Sequence, residues 1–163
     1  MIALKNILVP HDFSETSVAA MRYAVELARM FNAKLHIVHV SDRARFEMAT
    51  EFPLGLDVSL EDAVRERLSR IMALPEQLEL KPTFLVLSGA PAVEIVRYAN
   101  DQAINLIVMG THGRGVVAHA LIGSVAEKVV RHAPCPVLTV RHPEREFVMP
   151  FEPAPARTAD QVQ

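Results

Sequence analysis

Short apolar runs alternate with amphipathic segments along this chain, and the alternation predicts strands separated by helices. The runs that predict strands lie at about residues 7–9, 34–40, 83–87, 104–109 and 136–140. Apolar residues at helical spacing predict helices between them, at about residues 14–31, 59–75, from 91 onward and 125–132. Continuous apolar strands are typical of a parallel sheet that is buried on both faces, so the pattern predicts an α/β fold with helices on each side.

Two segments lack this periodicity. Residues 42–58 are mixed in charge and are predicted to form an irregular loop. From Pro143 onward the chain carries several prolines and no repeating apolar pattern. We therefore expect a single domain over residues 1–142, followed by a tail over residues 143–163 that lies outside the core.

Composition narrows the class of protein. The net charge is -2, which favours neither nucleic acid nor an anionic membrane as a partner. No segment approaches the roughly 18 apolar residues of a membrane-spanning helix. The single cysteine, Cys135, has no partner in the chain for a disulfide, as expected in a reducing compartment. A cytoplasmic protein with a structural thiol is therefore predicted.

A glycine pattern follows the fourth predicted strand. Gly110 and Gly113 are followed, after nine residues, by Gly123 and Ser124 at the start of a predicted helix. Glycines let the backbone approach a phosphate, and a helix N-terminus offers N–H groups to it. The same Ser124 forms a capping box with Glu127, which any helix could use. The pattern matches neither the dinucleotide fingerprint nor the P-loop. A phosphate site and a simple helix cap therefore both stay open as interpretations.

If the sheet has the order 3-2-1-4-5, the predicted topology brings this pattern to a position where ligands bind. The first and fourth strands then flank the point where the strand order reverses, and ligands bind beyond the carboxyl ends of strands there. Asp12, which follows the first strand, would lie in the same crevice. It could contact a ligand, or it could cap the following helix together with Glu15.

Several motifs together resemble the universal stress protein family, over roughly residues 3–142. In chain order they are Val9-Pro-His-Asp12-Phe-Ser14-Glu-Thr-Ser17, Ile37-Val-His39-Val40, Val108-Met-Gly110-Thr-His-Gly113-Arg114, Gly123-Ser124-Val125-Ala126-Glu127 and Cys135-Pro-Val137. The glycine motif that marks the ATP-binding members is complete. The resemblance implies a Rossmann-like five-stranded parallel sheet of order 3-2-1-4-5, and a homodimer.

The resemblance also implies roles for individual residues. Asp12 matches an acidic position near the adenosine, and Val40 matches a position whose backbone meets the adenine. We expect phosphates on the amides of the second and third glycines and of the two residues that follow. The full set of candidate binding residues is Pro10, Asp12, Val40, Met109, Gly110, His112, Gly113, Arg114, Gly123, Ser124 and Val125.

The function expected from this resemblance is an ATP-binding protein with a regulatory or stress-response role, taking ATP either alone or with Mg²⁺. We assign no catalytic residue and no metal ligand to the chain. A slow ATP hydrolase is one alternative, and an interaction module with a vestigial pocket is another. The fifth strand, residues 136–141, would be an unprotected sheet edge, and we expect it to pair with the same strand of a second copy.

Overall fold

The computed structural model of the protein describes residues 3–42, 57–111 and 122–141. Three of the candidate binding residues, His112, Gly113 and Arg114, lie outside the described residues. The predicted tail from Pro143 onward lies outside them as well.

Five strands form one parallel sheet. They are β1 (Asn6–Pro10), β2 (Lys34–Ser41), β3 (Thr83–Ser88), β4 (Leu106–Gly110) and β5 (Val137–Val140). Their order is β3-β2-β1-β4-β5, and every neighbouring pair is parallel. The order expected from the sequence is confirmed, and β1 and β4 meet where the strand order reverses.

Five helices in the described ranges connect or flank these strands. They are α1 (Glu15–Phe31), α2 (Asp57–Ser69), α3 (Leu74–Leu80), α4 (Pro91–Asp101) and α5 (Ser124–His132). The prediction of one helix opened by Ser59 and ended by Pro75 is wrong. The first helix already begins at Asp57, and Pro75 lies in the first turn of a second one. Proline suits that position, because its missing N–H is not needed there and its φ is already helical.

The sheet separates two apolar clusters, which explains why its strands are apolar almost throughout. On one face, Ile7, Ile37 and Val108 belong to a cluster with the buried side of α1. On the other face, Leu8 and Ile107 belong to a cluster with the buried residues of α4 and α5. Successive residues of a strand point to opposite faces, so both sets must be apolar. Among the residues that the structure describes, no helix is both long and apolar enough to cross a bilayer.

Two histidines of β2 lie on opposite faces of the sheet, as their spacing predicts. His36 lies on the α4 side, where its Nδ1 is 2.9 Å from the Tyr98 hydroxyl oxygen. His39 lies on the other side, where its Nδ1 is 2.8 Å from the backbone oxygen of His11. His36 is 8% exposed, and its Nε2 has no hydrogen-bond partner among the described residues. Burial, together with the charge of Lys34, lowers the pKa of His36.

We therefore expect acid to destabilise the fold through His36. The unfolded chain takes up a proton at this residue as the pH falls through about 6.5, whereas the folded chain resists it. The free energy of unfolding should fall below that pH, by at most about 1.4 kcal/mol per pH unit for this one group. Urea unfolding at several pH values should show a shallower acid slope for His36→Gln than for wild type. The matched control is His132→Gln, at an exposed position of α5. An unchanged slope in His36→Gln would contradict the assignment.

Candidate functional site

The carboxyl ends of β1 and β2 form a step in the sheet. β1 ends at Pro10, which is in register with Val38, and the His11 N–H donates to the Val38 carbonyl over 2.8 Å. β2 continues beyond this point to Ser41, paired only with β3. Backbone groups alternate in direction along a strand, so those of Val40 point the same way as those of Val38. Val40 therefore presents its backbone N–H and C=O to the space beyond the end of β1.

The turn after β1 holds Asp12 in a defined position. Its Oδ1 accepts a hydrogen bond from the Ser14 N–H over 3.0 Å and another from the Ser14 hydroxyl. Burial alone would raise the pKa of Asp12, but the hydrogen bonds from Ser14 outweigh it, and the pKa lies below its usual value. Asp12 is therefore a carboxylate at neutral pH.

The interpretation of Asp12 as the cap of α1 is wrong. The cap is Ser14, whose side-chain oxygen accepts from the Ser17 N–H over 3.2 Å, and the helix begins at Glu15. Asp12 lies two residues too early, because Phe13 adopts a left-handed conformation with φ 65° and turns the chain before the helix starts. Asp12 supports the cap residue instead.

The start of α5 also differs from the capping interpretation. The N-cap is Gly123, with no side-chain cap, and Ser124 is the first residue of the helix. Glu127 pairs with Arg131 over 2.9 Å instead of closing a capping box. The first amides of a helix have no intrahelical acceptor. The Ser124 side chain is exposed, and the amides of Ser124 and Val125 have no acceptor within the helix.

One amide that we expected on a phosphate is used within the protein. The Gly123 N–H donates to the Thr111 carbonyl over 2.6 Å, and the Thr111 N–H donates to the Val140 carbonyl over 2.8 Å. Gly123 has φ −71° and ψ 151°, a backbone conformation that any residue adopts. Among the described candidates, the helix amides of Ser124 and Val125 remain for a phosphate.

Three candidates have a structural role in this region. A Cβ on Gly110 would lie 2.7 Å from Oγ1 and 2.9 Å from the carbonyl carbon of Thr16, so the glycine lets β4 lie close to α1. The Met109 side chain is buried in the core with α4 and α5. Pro10 is buried at the end of β1. Met109 and Pro10 can therefore offer a ligand little more than backbone.

Sequence reasoning missed the residues that surround the turn. Phe13 lies against the rings of His11 and His39, with centroid distances of 5.3 and 4.9 Å, and Arg67 of α2 covers its face. The only signal in the sequence was the motif that contains His11 and Phe13. Nothing in it pointed to α2. No group of three His, Cys, Asp or Glu side chains that could hold a metal ion occurs within residues 3–42, 57–111 and 122–141.

The comparisons with known proteins agree with this fold. The model of the universal stress protein family matches residues 3–141. Universal stress protein MJ0531 of Methanocaldococcus jannaschii is 35% identical over 147 residues, which cover 87% of this chain and 85% of that protein. The solved structure of protein MJ0577, also from M. jannaschii, has a TM-score of 0.74 at 28% identity and covers 88% of this chain and 99% of its own. The chain belongs to the universal stress protein family.

A further solved structure is a universal stress protein in complex with cAMP. It has a TM-score of 0.58 at 24% identity, covers 86% of this chain and 98% of its own, and shares the fold. The cAMP belongs to that protein.

We expect Gly110 to contribute to the stability of the fold. Gly110→Ala would force a methyl group against the side chain and backbone of Thr16, and overpacking of this kind costs about 1–3 kcal/mol. Urea unfolding should show that loss. Gly123→Ala is the matched control, because its backbone conformation suits alanine and only the weaker capping of alanine is at stake, worth below about 1 kcal/mol. Equal stability of the two variants would contradict the assignment.

Proposed function

We propose that this chain is an ATP-binding member of the universal stress protein family with a regulatory or stress-response role. One observation carries the proposal. The carboxyl ends of β1, β2 and β4 bring an ionised Asp12, the outward backbone of Val40 and the uncapped start of α5 to the same edge of the sheet. The three features match the sugar, the base and the phosphates of a nucleotide.

The phosphates are assigned to the start of α5. The amides of Ser124 and Val125 carry the positive end of the helix dipole, and the exposed Ser124 hydroxyl adds a donor. In this proposal, Gly113 lets the backbone come close to the phosphates, and His112 and Arg114 provide hydrogen-bond donors to them. Gly123 acts as the N-cap, with its own amide already bonded to Thr111.

The adenosine is assigned to the step between β1 and β2. The Val40 N–H and C=O provide one donor and one acceptor for the edge of a purine. Asp12 is a carboxylate, and carboxylate oxygens accept hydrogen bonds from the hydroxyl groups of a ribose. Adenine and guanine differ in their pattern of donors and acceptors, so this placement favours ATP over GTP.

A regulatory role fits the described residues better than rapid hydrolysis. Hydrolysis needs a group that orients or deprotonates water. Asp12 is bonded to Ser14 and has a lowered pKa, so it is a weak base. Since the described residues contain no cluster suited to a metal ion, Mg²⁺ is assigned to the phosphates of ATP and not to the chain. We place the protein in the cytoplasm, where its free Cys135 thiol would stay reduced.

We expect calorimetry to detect ATP binding that outcompetes GTP. Asp12→Ala should weaken ATP binding roughly tenfold or more, because hydrogen bonds to a charged group contribute about 1.5–3 kcal/mol. Its stability should fall less, since the Ser14 cap remains. Asp12→Asn is the matched control for the turn, because its side-chain oxygen can still accept from the Ser14 N–H.

Two results would oppose this site. Equal affinity for ATP and GTP would contradict the placement of the base at Val40. An Asp12→Ala variant that loses stability but keeps its affinity for ATP would reduce Asp12 to a structural role. Binding should also be measured with and without Mg²⁺, which separates ATP alone from its magnesium complex.

We also propose that the chain forms a homodimer through β5. On the inner side of the strand, the Pro136 carbonyl accepts from Ile107 of β4 and the Val140 carbonyl accepts from Thr111, directly after β4. By alternation, Val137 and Thr139 direct their backbone N–H and C=O away from the sheet. No described strand pairs with this edge of β5, and such an edge favours pairing with a second copy about a two-fold axis. Val140, which we expected near the interface, is 8% exposed and contributes its side chain to the core of its own chain.

A proline at position 139 tests strand pairing selectively. Thr139→Pro removes an outward N–H. An edge strand tolerates this loss within its own sheet, but pairing with another strand loses a hydrogen bond. We expect light scattering to show a wild-type dimer, a dimer for Thr139→Ala and a monomer for Thr139→Pro, with unchanged circular dichroism. A wild-type monomer that dimerises only after deletion of residues 143–163 would instead place the tail on this edge.

A further inference from the structure

The turn that carries Asp12 contains a backbone conformation that its residue disfavours. Phe13 has φ 65°, in the left-handed region that bulky side chains rarely adopt. A residue stays in such a conformation only where surrounding contacts hold it. Asp12 is the preceding residue, so contacts that fix Phe13 also fix the direction of the Asp12 carboxylate.

Some of these contacts come from the neighbouring strands. The Phe13 N–H donates to His11 Nδ1 over 3.1 Å, and the Phe13 ring lies 4.9 Å from that of His39. His39 Nδ1 lies 2.8 Å from the His11 carbonyl oxygen. A carbonyl oxygen can only accept, so Nδ1 of His39 carries the proton. These contacts tie the turn to the ends of β1 and β2.

The Phe13 ring is also contacted by a residue of another element. The guanidinium carbon of Arg67, on α2, lies 4.2 Å from the ring centroid, which is the geometry of a cation–π contact. Two neighbouring arginines of the chain form ion pairs instead of contacts with an aromatic ring. Arg65 and Arg70 pair with acidic residues of the same segment, Asp62 and Glu66. Arg67 thus connects α2 to the turn across a large distance in sequence.

We infer that Arg67 is a positioning residue for the candidate ligand site, because its stack on Phe13 maintains the turn that directs Asp12. The inference rests on the proposed function for its ligand. Without Arg67, the free protein would populate other conformations of the turn. The apparent affinity for a ligand falls in proportion to the fraction of molecules that are competent to bind.

The test compares Arg67→Ala, Arg67→Lys and Arg70→Ala with wild type in the full chain. ATP affinity is measured by calorimetry, and hydrogen exchange of the Phe13 and Ser14 amides is measured without ligand. Both amides donate within the turn, so they report its geometry directly. We expect Arg67→Ala to weaken ATP binding about threefold to fivefold and to speed both exchange rates by a similar factor. Arg67→Lys keeps a cation and should recover most of each effect, and Arg70→Ala should change neither.

A second comparison isolates the strained conformation. Asparagine adopts left-handed backbone more readily than phenylalanine and offers no ring for Arg67 to cover. In the Phe13→Asn background, Arg67→Ala should therefore have no further effect on affinity or exchange. This double-mutant cycle separates the stack from any independent effect of Arg67 on α2.

The outcomes distinguish the inference from the proposed function. Arg67→Ala and Arg70→Ala behaving alike in both measurements would overturn the inference. Faster exchange with unchanged ATP affinity would overturn the link between the turn and the ligand. If wild type binds no ATP while exchange still responds to Arg67→Ala alone, the positioning of the turn is supported and the proposed ligand is wrong.

Discussion

The close approach of α1 to the end of β4 is the constraint on which the rest of this site depends. A Cβ on Gly110 would lie only 2.7 Å from Thr16 Oγ1, so α1 can lie this close to β4 because residue 110 is a glycine. The buried side of α1 then completes the apolar cluster on that face. Since α1 starts at this end of the sheet, the preceding turn must lie beyond β1. Packing in the core thus decides where Asp12 is found.

The electrostatics of the site suggest one orientation for an anionic ligand. Asp12 is ionised at the end of β1, and it would repel phosphates that came close to it. The start of α5 carries the positive end of a helix dipole and no side chain that caps it. A nucleotide bound in the proposed way therefore has its neutral sugar at β1 and its charged groups toward α5. The reversed orientation would place like charges together.

The sequence predicted the sheet better than it predicted the turns. Continuous apolar strands and the family resemblance were sufficient for the order 3-2-1-4-5, because burial on both faces leaves a clear pattern. The cap of α1 was misplaced because the left-handed conformation of Phe13 depends on contacts from distant residues. The apparent capping box at Ser124 failed because the helix begins one residue earlier than the motif requires, with Gly123 as its N-cap. Pro75 signals the start of a helix as readily as the end of one, so the division of α2 from α3 was not evident.

One short series of hydrogen bonds joins two regions that the proposals treat separately. The Thr111 N–H donates to Val140 of β5, while the Thr111 carbonyl accepts from Gly123 at the start of α5. A displacement of the β5 edge would therefore reach the first turn of α5 through a single residue. If both a partner chain and a nucleotide bind as proposed, their binding free energies are thermodynamically linked. Any increase in dimer affinity caused by nucleotide must then equal the increase in nucleotide affinity caused by dimerisation.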